Sequence, residues 1–394
     1  MTTTPIVARE AELRQALGEN QNDVDGLMAL ADWLAEQDRD RDAAEIYRRV
    51  LVVNPEHGAA LCKLGVILHA YPAFRLQAIA LLEQALAIDA ALIDAYRPLA
   101  WSLAQIGRRD VSVAVLRVWT VMVPTDPVAA HLLAAYSAGD VPGRASDEFV
   151  RHTADQGAEH FDSMMRESLK YCAPEVLYAQ LATLLPHAGE PNLDILDMGC
   201  GTGLCAPLLR PIARRLVGVD LSTKMLEKAR QRALYDQLER SELTTYLAEC
   251  GEHFDGLFAT DTLVYFGHLD VLFAHAYAAL RPGGWIAFTV EKLQPGSETC
   301  EPPVAFDVAG GGGVAADIAS DVAAAAVPIS ARDFVLDTTG RYQHCQEYVA
   351  SALASVGFVD LQIIEAQIRI DDNEPIIGLA VVAKKSASTA KNTL

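Results

Sequence analysis

The chain has 394 residues, 51% of them hydrophobic, and a formal net charge of -20 at pH 7. That length accommodates two domains and a sizeable core, and that hydrophobic content excludes a disordered chain. The negative balance repels phosphate backbones and anionic surfaces, which argues against nucleic acid and membrane as main partners.

In chain order, Met1 to Glu10 lacks the basic and apolar blocks of a signal peptide. Residues 8 to about 138 carry helical periodicity with few strand signals. Three units hold phase within it. Leu27, Leu30, Leu34, Ala43, Tyr47 and Pro55 mark the first; Leu61, Leu64, Leu68, Ala78, Leu82 and Ala90 the second; Tyr96, Leu99, Leu103, Ser112, Leu116 and Pro124 the third. Their closing positions, Pro55, Ala90 and Pro124, lie 35 and 34 residues apart. Small residues belong where two helices cross closely, and larger ones fill the groove one turn away. This pattern resembles the tetratricopeptide repeat, with Ser112 standing at an alanine position. One such unit cannot bury its apolar face alone, so units at about 24–57, 58–92 and 93–126 are expected to stack in a domain spanning 1–140, with flanking helices as caps. The longest apolar candidate, Val111 to Pro124, is short for a membrane span and interrupted by Arg117.

Ser137 to Ser146 has the small, turn-forming composition of a linker. From residue 147 the grammar changes. Helical stretches alternate with β-branched runs at 193–198, 215–219, 255–260, 284–290, 359–369 and 376–383. Strand alternating with helix predicts a parallel sheet covered on both faces. The most informative run is Asp197-Met198-Gly199-Cys200-Gly201-Thr202-Gly203, with Asp220 seventeen residues beyond at the end of the next apolar run. Glycines let a backbone approach a ligand closely, and an acid at the following strand end can accept two hydrogen bonds from a ribose diol. The glycine that would complete the dinucleotide pattern GxGxxG is missing, and no Lys-Ser/Thr pair follows to make a P-loop.

These residues resemble the first motifs of class I S-adenosylmethionine-dependent methyltransferases. Further matches follow in the family's order. Phe254 to Asp261 is similar to its fourth strand, Leu280-Arg281-Pro282-Gly283-Gly284 to the turn before its fifth, and Glu374 to Leu379 to the start of its antiparallel last strand. The resemblance implies a doubly wound α/β Rossmann-like sheet over 147–394, with S-adenosylmethionine as cofactor and S-adenosylhomocysteine as product. It implies that Gly199, Cys200, Gly201 and Gly203 pass against the methionine part of the cofactor. Asp197 would hold the turn and face its amino group, and Asp220 would bind the ribose. Leu221 and Met225 would pack on the adenine, Glu242 would face the adenine amino group, and Thr260 would end the strand beside the methyl donor. Phe161, Asp162, Met165 and Leu169 precede the first strand, at the place of a lid in related enzymes, and Tyr171 would close it.

Methyl transfer is an in-line displacement, so the protein mainly aligns acceptor and donor and keeps water out. A hydroxyl or amine acceptor also calls for a base. Candidates at the carboxyl ends of strands four and five are Asp261, Tyr265, His268 and Glu291. His344 is the first choice, because an imidazole titrates near working pH. Tyr265 and Tyr342 are expected to wall the substrate. The Gly/Ala-rich insert at 296–330, with Gly310 to Gly313 and Ala323 to Ala326, reads as a flap or as a flexible loop without a role. Seven cysteines without a CxxC pair indicate reduced thiols and a cytoplasmic setting, with Cys200 and Cys205 as small core residues. The expected activity is methylation of a small molecule, with the repeat domain docking the substrate, a protein partner or a second copy. A protein substrate held by the repeats and a non-catalytic cofactor-binding scaffold are the other readings the residues allow.

Overall fold

The structure, a computed structural model, describes residues 4–137, 141–185, 192–251, 254–293, 333–371 and 374–387. The insert expected at 296–330 lies outside the described residues. The chain divides after Ser137 into two units.

The first unit is helical: α1(Thr4–Glu19), α2(Val24–Glu36), α3(Asp40–Val53), α4(Gly58–His69), α5(Arg75–Ile88), α6(Tyr96–Gln105), α7(Arg109–Met122) and α8(Pro127–Tyr136). Each helix packs on the next, and the α2–α3, α4–α5 and α6–α7 pairs follow the three expected units. Ala43, Ala78 and Ser112, the small residues assigned to the helix crossings, have no exposed surface. A Cβ on Gly65 would lie 2.7 Å from Leu82 of α5, so the α4–α5 approach requires glycine. Ser112 fits an alanine position because its buried hydroxyl donates to the Ala100 carbonyl at 2.7 Å. The phenol of Tyr47 is likewise satisfied, donating to Asp32 at 2.6 Å.

The second unit begins with α9(Asp147–Gly157), a short turn α10(Phe161–Ser163) that continues as a π-turn over Met164–Ser168, and α11(Ala173–Ala182). The parallel strands β1(Leu193–Met198), β2(Ala213–Asp220), β3(Gln237–Arg240), β4(Phe254–Ala259) and β5(Leu280–Lys292) pair in the order β3-β2-β1-β4-β5. Between them run α12(Ala206–Leu209), α13(Thr223–Gln231), α14(Leu243–Cys250) and α15(Asp270–Ala279). Two three-residue strands that periodicity did not reveal, β6(Phe334–Leu336) and β7(Tyr342–His344), extend the carboxyl end of β5, where Glu291 and Lys292 pair with Gln343 and His344. After α16(Gln346–Val356) come β8(Phe358–Asp371) and β9(Glu374–Lys385). β9 runs antiparallel on β5, as expected of the last strand, and β8 runs antiparallel on β9.

Both sheet faces are covered. Leu196, Met198, Phe273 and Phe288 belong to one apolar cluster, and Ile195, Phe258, Leu177 and Trp285 to another. That double burial explains why the strands read as continuous apolar runs. Asp194, a charge inside β1, is tolerated because Arg214 holds it at 2.7 and 3.0 Å and Arg281 at 2.8 Å. Strand order reverses between β1 and β4, which opens a crevice at their carboxyl ends.

The expected linker is corrected in its second half. Tyr342 donates to the Pro142 carbonyl at 2.7 Å, Gly267 and His268 donate to the Gly143 carbonyl at 2.9 and 2.8 Å, and Ala145 donates to Tyr265 at 2.8 Å. Residues 142–146 therefore belong to the second unit. Among the described residues, no helix is long and apolar enough to cross a membrane.

Candidate active site

A cavity of about 260 Å³ occupies the crevice. Its floor is the glycine turn after β1. Gly199 has φ +69°, and a Cβ there would come within 2.4 Å of Thr262. Gly201 has φ +53°, and an added Cβ would meet nothing within 4 Å, because that side opens on the cavity. Gly203 also has positive φ but lies under Tyr235, off the cavity wall. Asp220 at the end of β2 faces the turn. Its carboxylate accepts from Gly201 N at 2.9 Å and Ser222 N at 2.8 Å, while burial raises its pKa above the usual carboxylate range. Leu221 and Met225 supply the apolar wall beside it.

Asp197 does not meet the expectation of facing a ligand. It is 1% exposed, is not part of the cavity wall, and accepts a hydrogen bond from Tyr235 at 2.6 Å. Burial pushes its pKa up to about 7. Its part is to tie the turn from behind. Cys200 and Cys205 line the cavity, but burial holds both thiols well above their ordinary pKa, so neither is a nucleophile. Cys205 lies 3.1 Å from the Thr260 hydroxyl. Glu242 reaches the cavity wall as the N-cap of α14, bonded to Thr245 N at 2.8 Å and to Thr244 at 3.0 Å, with Arg144 at 3.4 Å.

The roof is the segment from α9 to Tyr171, including Phe161, Met164, Met165 and Leu169. Asp162 anchors one end through Thr202 at 2.5 Å and an ion pair with Arg232, which also bonds the Thr202 carbonyl. β8 holds the other end, where Cys172 donates to Ile368 at 2.9 Å and Ile370 donates to Leu169 at 2.7 Å. Tyr171 lines the cavity, its phenol pushed well up in pKa by burial. The sequence flagged this segment, but not the Asp162–Arg232 clamp, whose partners are 70 residues apart.

At the far end stand Asp261, Tyr265 and Arg341. Asp261, with φ +57°, projects from the loop after β4 and pairs with Arg341 and, at 3.2 Å, with Arg369. Glu291 closes the ring, 2.7 Å from Arg341 and 2.6 Å from Arg369. Burial raises the Asp261 pKa, but the two guanidinium groups outweigh it and leave the carboxyl below its usual range. At Glu291 burial wins and the pKa is raised. Tyr265 is a protonated phenol at neutral pH, its pKa raised chiefly by burial.

His344 is not brought to this site. It has no exposed surface, lies outside the cavity wall and faces the Gly267 carbonyl at 3.2 Å, stacked on Tyr348 with Phe334 tilted against it. Burial lowers its pKa to about 4, so at neutral pH it is a neutral core residue and the general-base expectation is withdrawn. Tyr342, fully buried, and His268, packed edge-on against Phe334, are also outside the wall. Glu291 stands behind Arg341, not on the wall. Residue alternation explains the swap. Tyr342 and His344 take the buried positions of β7, and Arg341, just before that strand, faces the cavity.

A family model described as "Methyltransferase domain" matches residues 195–284, the segment from β1 to the start of β5. The chain is similar to "Ubiquinone biosynthesis O-methyltransferase" of Chelativorans sp., with 35% identity over 105 residues, 25% of this chain and 41% of that protein. It is also similar to "Trans-aconitate 2-methyltransferase" of Paracidovorax citrulli, 34% identical over 109 residues, 27% of this chain and 42% of that protein. The chain thus spans about two fifths of the length of these relatives. A solved S-adenosylmethionine-dependent methyltransferase from Mesorhizobium loti matches with 25% identity and a TM-score of 0.37, over 52% of this chain and 96% of that one. With the glycine turn, the strand order and the family match falling on the same residues, this chain carries a methyltransferase domain.

Proposed function

We propose that the second unit binds S-adenosylmethionine in the cavity and transfers its methyl group to a small-molecule acceptor. The observation that carries this reading is the convergence of Gly201 and Asp220 on one enclosed space. The residues fit the donor. Gly201 leaves room for backbone contact, the Asp220 carboxylate retains acceptor capacity for a ribose diol, and Leu221 and Met225 form an apolar wall for a flat base. The bound donor supplies a methyl on a positively charged sulfur. The chain's own residues orient it, exclude water with the roof from Phe161 to Tyr171, and leave the acceptor end between Thr260, Tyr265 and Arg341. Enclosure favours a small acceptor over a protein side chain. The first unit is proposed as a tetratricopeptide-like docking element for a partner or the substrate, supported by its phased helix pairs and the small residues at their crossings.

Calorimetric titration with S-adenosylhomocysteine tests the donor reading. Wild-type protein should bind one equivalent, and Asp220→Ala should bind roughly 100-fold more weakly through loss of two charge-assisted hydrogen bonds. No binding at millimolar ligand would remove the reading. A chain lacking residues 1–137 should keep cofactor affinity; if substrate KM is also unchanged, the first unit docks a partner and not the substrate.

A further inference from the structure

Among the described residues, the acceptor end of the cavity contains charge but no free base. Asp261, the one carboxylate on its wall, is committed to two arginines. His344, Glu291 and the thiols are buried in other roles or behind the wall. An amine or phenol acceptor would have to lose a proton here, and among the described residues no group lining this end is placed to take it. An ionised carboxylate needs no such help, because it is already a nucleophile at neutral pH.

Arg341 supplies what such an acceptor needs. Its Nη2 faces Asp261 and its Nε lies 2.7 Å from Glu291, so both are held in ion pairs although neither makes a well-aligned hydrogen bond. Nη1 takes part in neither ion pair, and the side chain is 20% exposed and lines the cavity. The Asp261–Arg341–Glu291–Arg369 ring holds the guanidinium rigid, so little freedom is lost when it binds. The ring's formal charge sums to zero, which suits a monoanion better than a phosphate dianion. The Arg341 guanidinium carbon lies 6.0 Å from the Tyr265 ring centre, and Phe161, Met165 and Phe266 line the same cavity.

We infer that the acceptor is a carboxylic acid with an apolar body, held through its carboxylate by Arg341 and methylated on a carboxylate oxygen. This rests on the methyltransferase reading above. In the step, the oxygen lone pair forms the new O–CH3 bond while the methyl–sulfur bond breaks, its electron pair returning to sulfur. The products are a neutral methyl ester and the neutral thioether, and no proton is released. Arg341 acts by direct contact with the acceptor, whereas Glu291 and Arg369 are positioning residues.

The test uses the full chain with methyl-labelled S-adenosylmethionine and three probes: trans-cinnamate, 3,4-dihydroxybenzoate and the primary amide of the latter. Expected are base-labile methyl esters from the two acids, no product from the amide, and no net proton release per turnover. Arg341→Gln should lower kcat/KM for the acids by about 30-fold, the loss of one charge-assisted hydrogen bond, while Arg341→Lys recovers part of it. Calorimetry with the S-adenosylhomocysteine-saturated protein should show acid binding in wild type, weakened likewise in Arg341→Gln, with S-adenosylhomocysteine affinity unchanged. Base-stable methyl ethers, equal methylation of the amide, or no acid bound or methylated by a protein that does bind S-adenosylhomocysteine would each overturn the inference. Failure to bind S-adenosylhomocysteine would instead overturn the donor reading. Should Arg341→Gln fail to fold, the acid–amide comparison in wild type decides.

Discussion

The two ends of the cavity are built on different principles. The proposed donor end is made of backbone and short-range geometry: a turn with positive φ at Gly199 and Gly201, and an acid at a strand end that accepts from Gly201 N in the turn and from Ser222 N, the residue that caps the next helix. The acceptor end is made of long side chains from separate parts of the chain. Asp261 follows β4, Glu291 lies in β5, Arg341 precedes β7 and Arg369 lies in β8, so the four meet only in the fold. The first kind of site tolerates little change in residue type, since the turn fixes what fits. The second can be rewired by one substitution, which suits a fold that carries many acceptor chemistries on one donor site.

The comparison breaks most readily at Arg369. It is 2% exposed and serves both acids, so Arg369→Met should leave the buried Glu291 and the partly buried Asp261 with one partner between them. The expected loss is about 3–5 kcal/mol of unfolding stability, read by denaturant titration. Affinity for S-adenosylhomocysteine in the fraction that folds should change less than about 3-fold, since the ring lies outside the donor end. A comparable loss of donor affinity would mean that the two ends are one coupled site.

A smaller effect sharpens the donor end. Asp197 is protonated up to about pH 7 in the folded protein, against an ordinary value of 3.8. Unfolding between about pH 4 and 7 therefore releases a proton, and this residue's contribution to stability is lost as pH rises through 7. Asp197→Asn imitates the protonated acid. Its melting temperature should match wild type near pH 4 and exceed it by several degrees at pH 8. A gap that stays constant with pH would show that Asp197 is not held protonated behind the turn.

The same contrast explains how far the sequence could be read. Periodicity and motif order located β1, β2, β4, β5, β8 and β9, and helices in the first unit, because each is a local pattern. β6 and β7 escaped because three residues carry no period. The place of Gly201, Asp220, Leu221 and Met225 on the cavity wall was legible because strand, turn and strand end fix where they point. Asp197 was misread because the tyrosine that claims it, Tyr235, is 38 residues away. His344 was chosen for its side-chain chemistry, yet the pleat of β7 buries it, and Arg341 three residues earlier takes the cavity. A one-place error in assigning faces to a short strand exchanges a core residue for a site residue. Glu291 was flagged as a base candidate at the end of the fifth strand, but its arginine partners were not, and Arg369 gave no signal of its own, because the ion pairs join residues far apart in the chain.

The central claim is that donor and acceptor share this one cavity, from Asp220 at one end to Arg341 at the other. A crystal structure with bound S-adenosylhomocysteine tests it most directly. The account predicts the ribose hydroxyls on Asp220, the adenine against Leu221 and Met225, and the sulfur turned toward the space between Thr260, Tyr265 and Arg341. Ligand density elsewhere, or a sulfur facing away from Arg341, would contradict it.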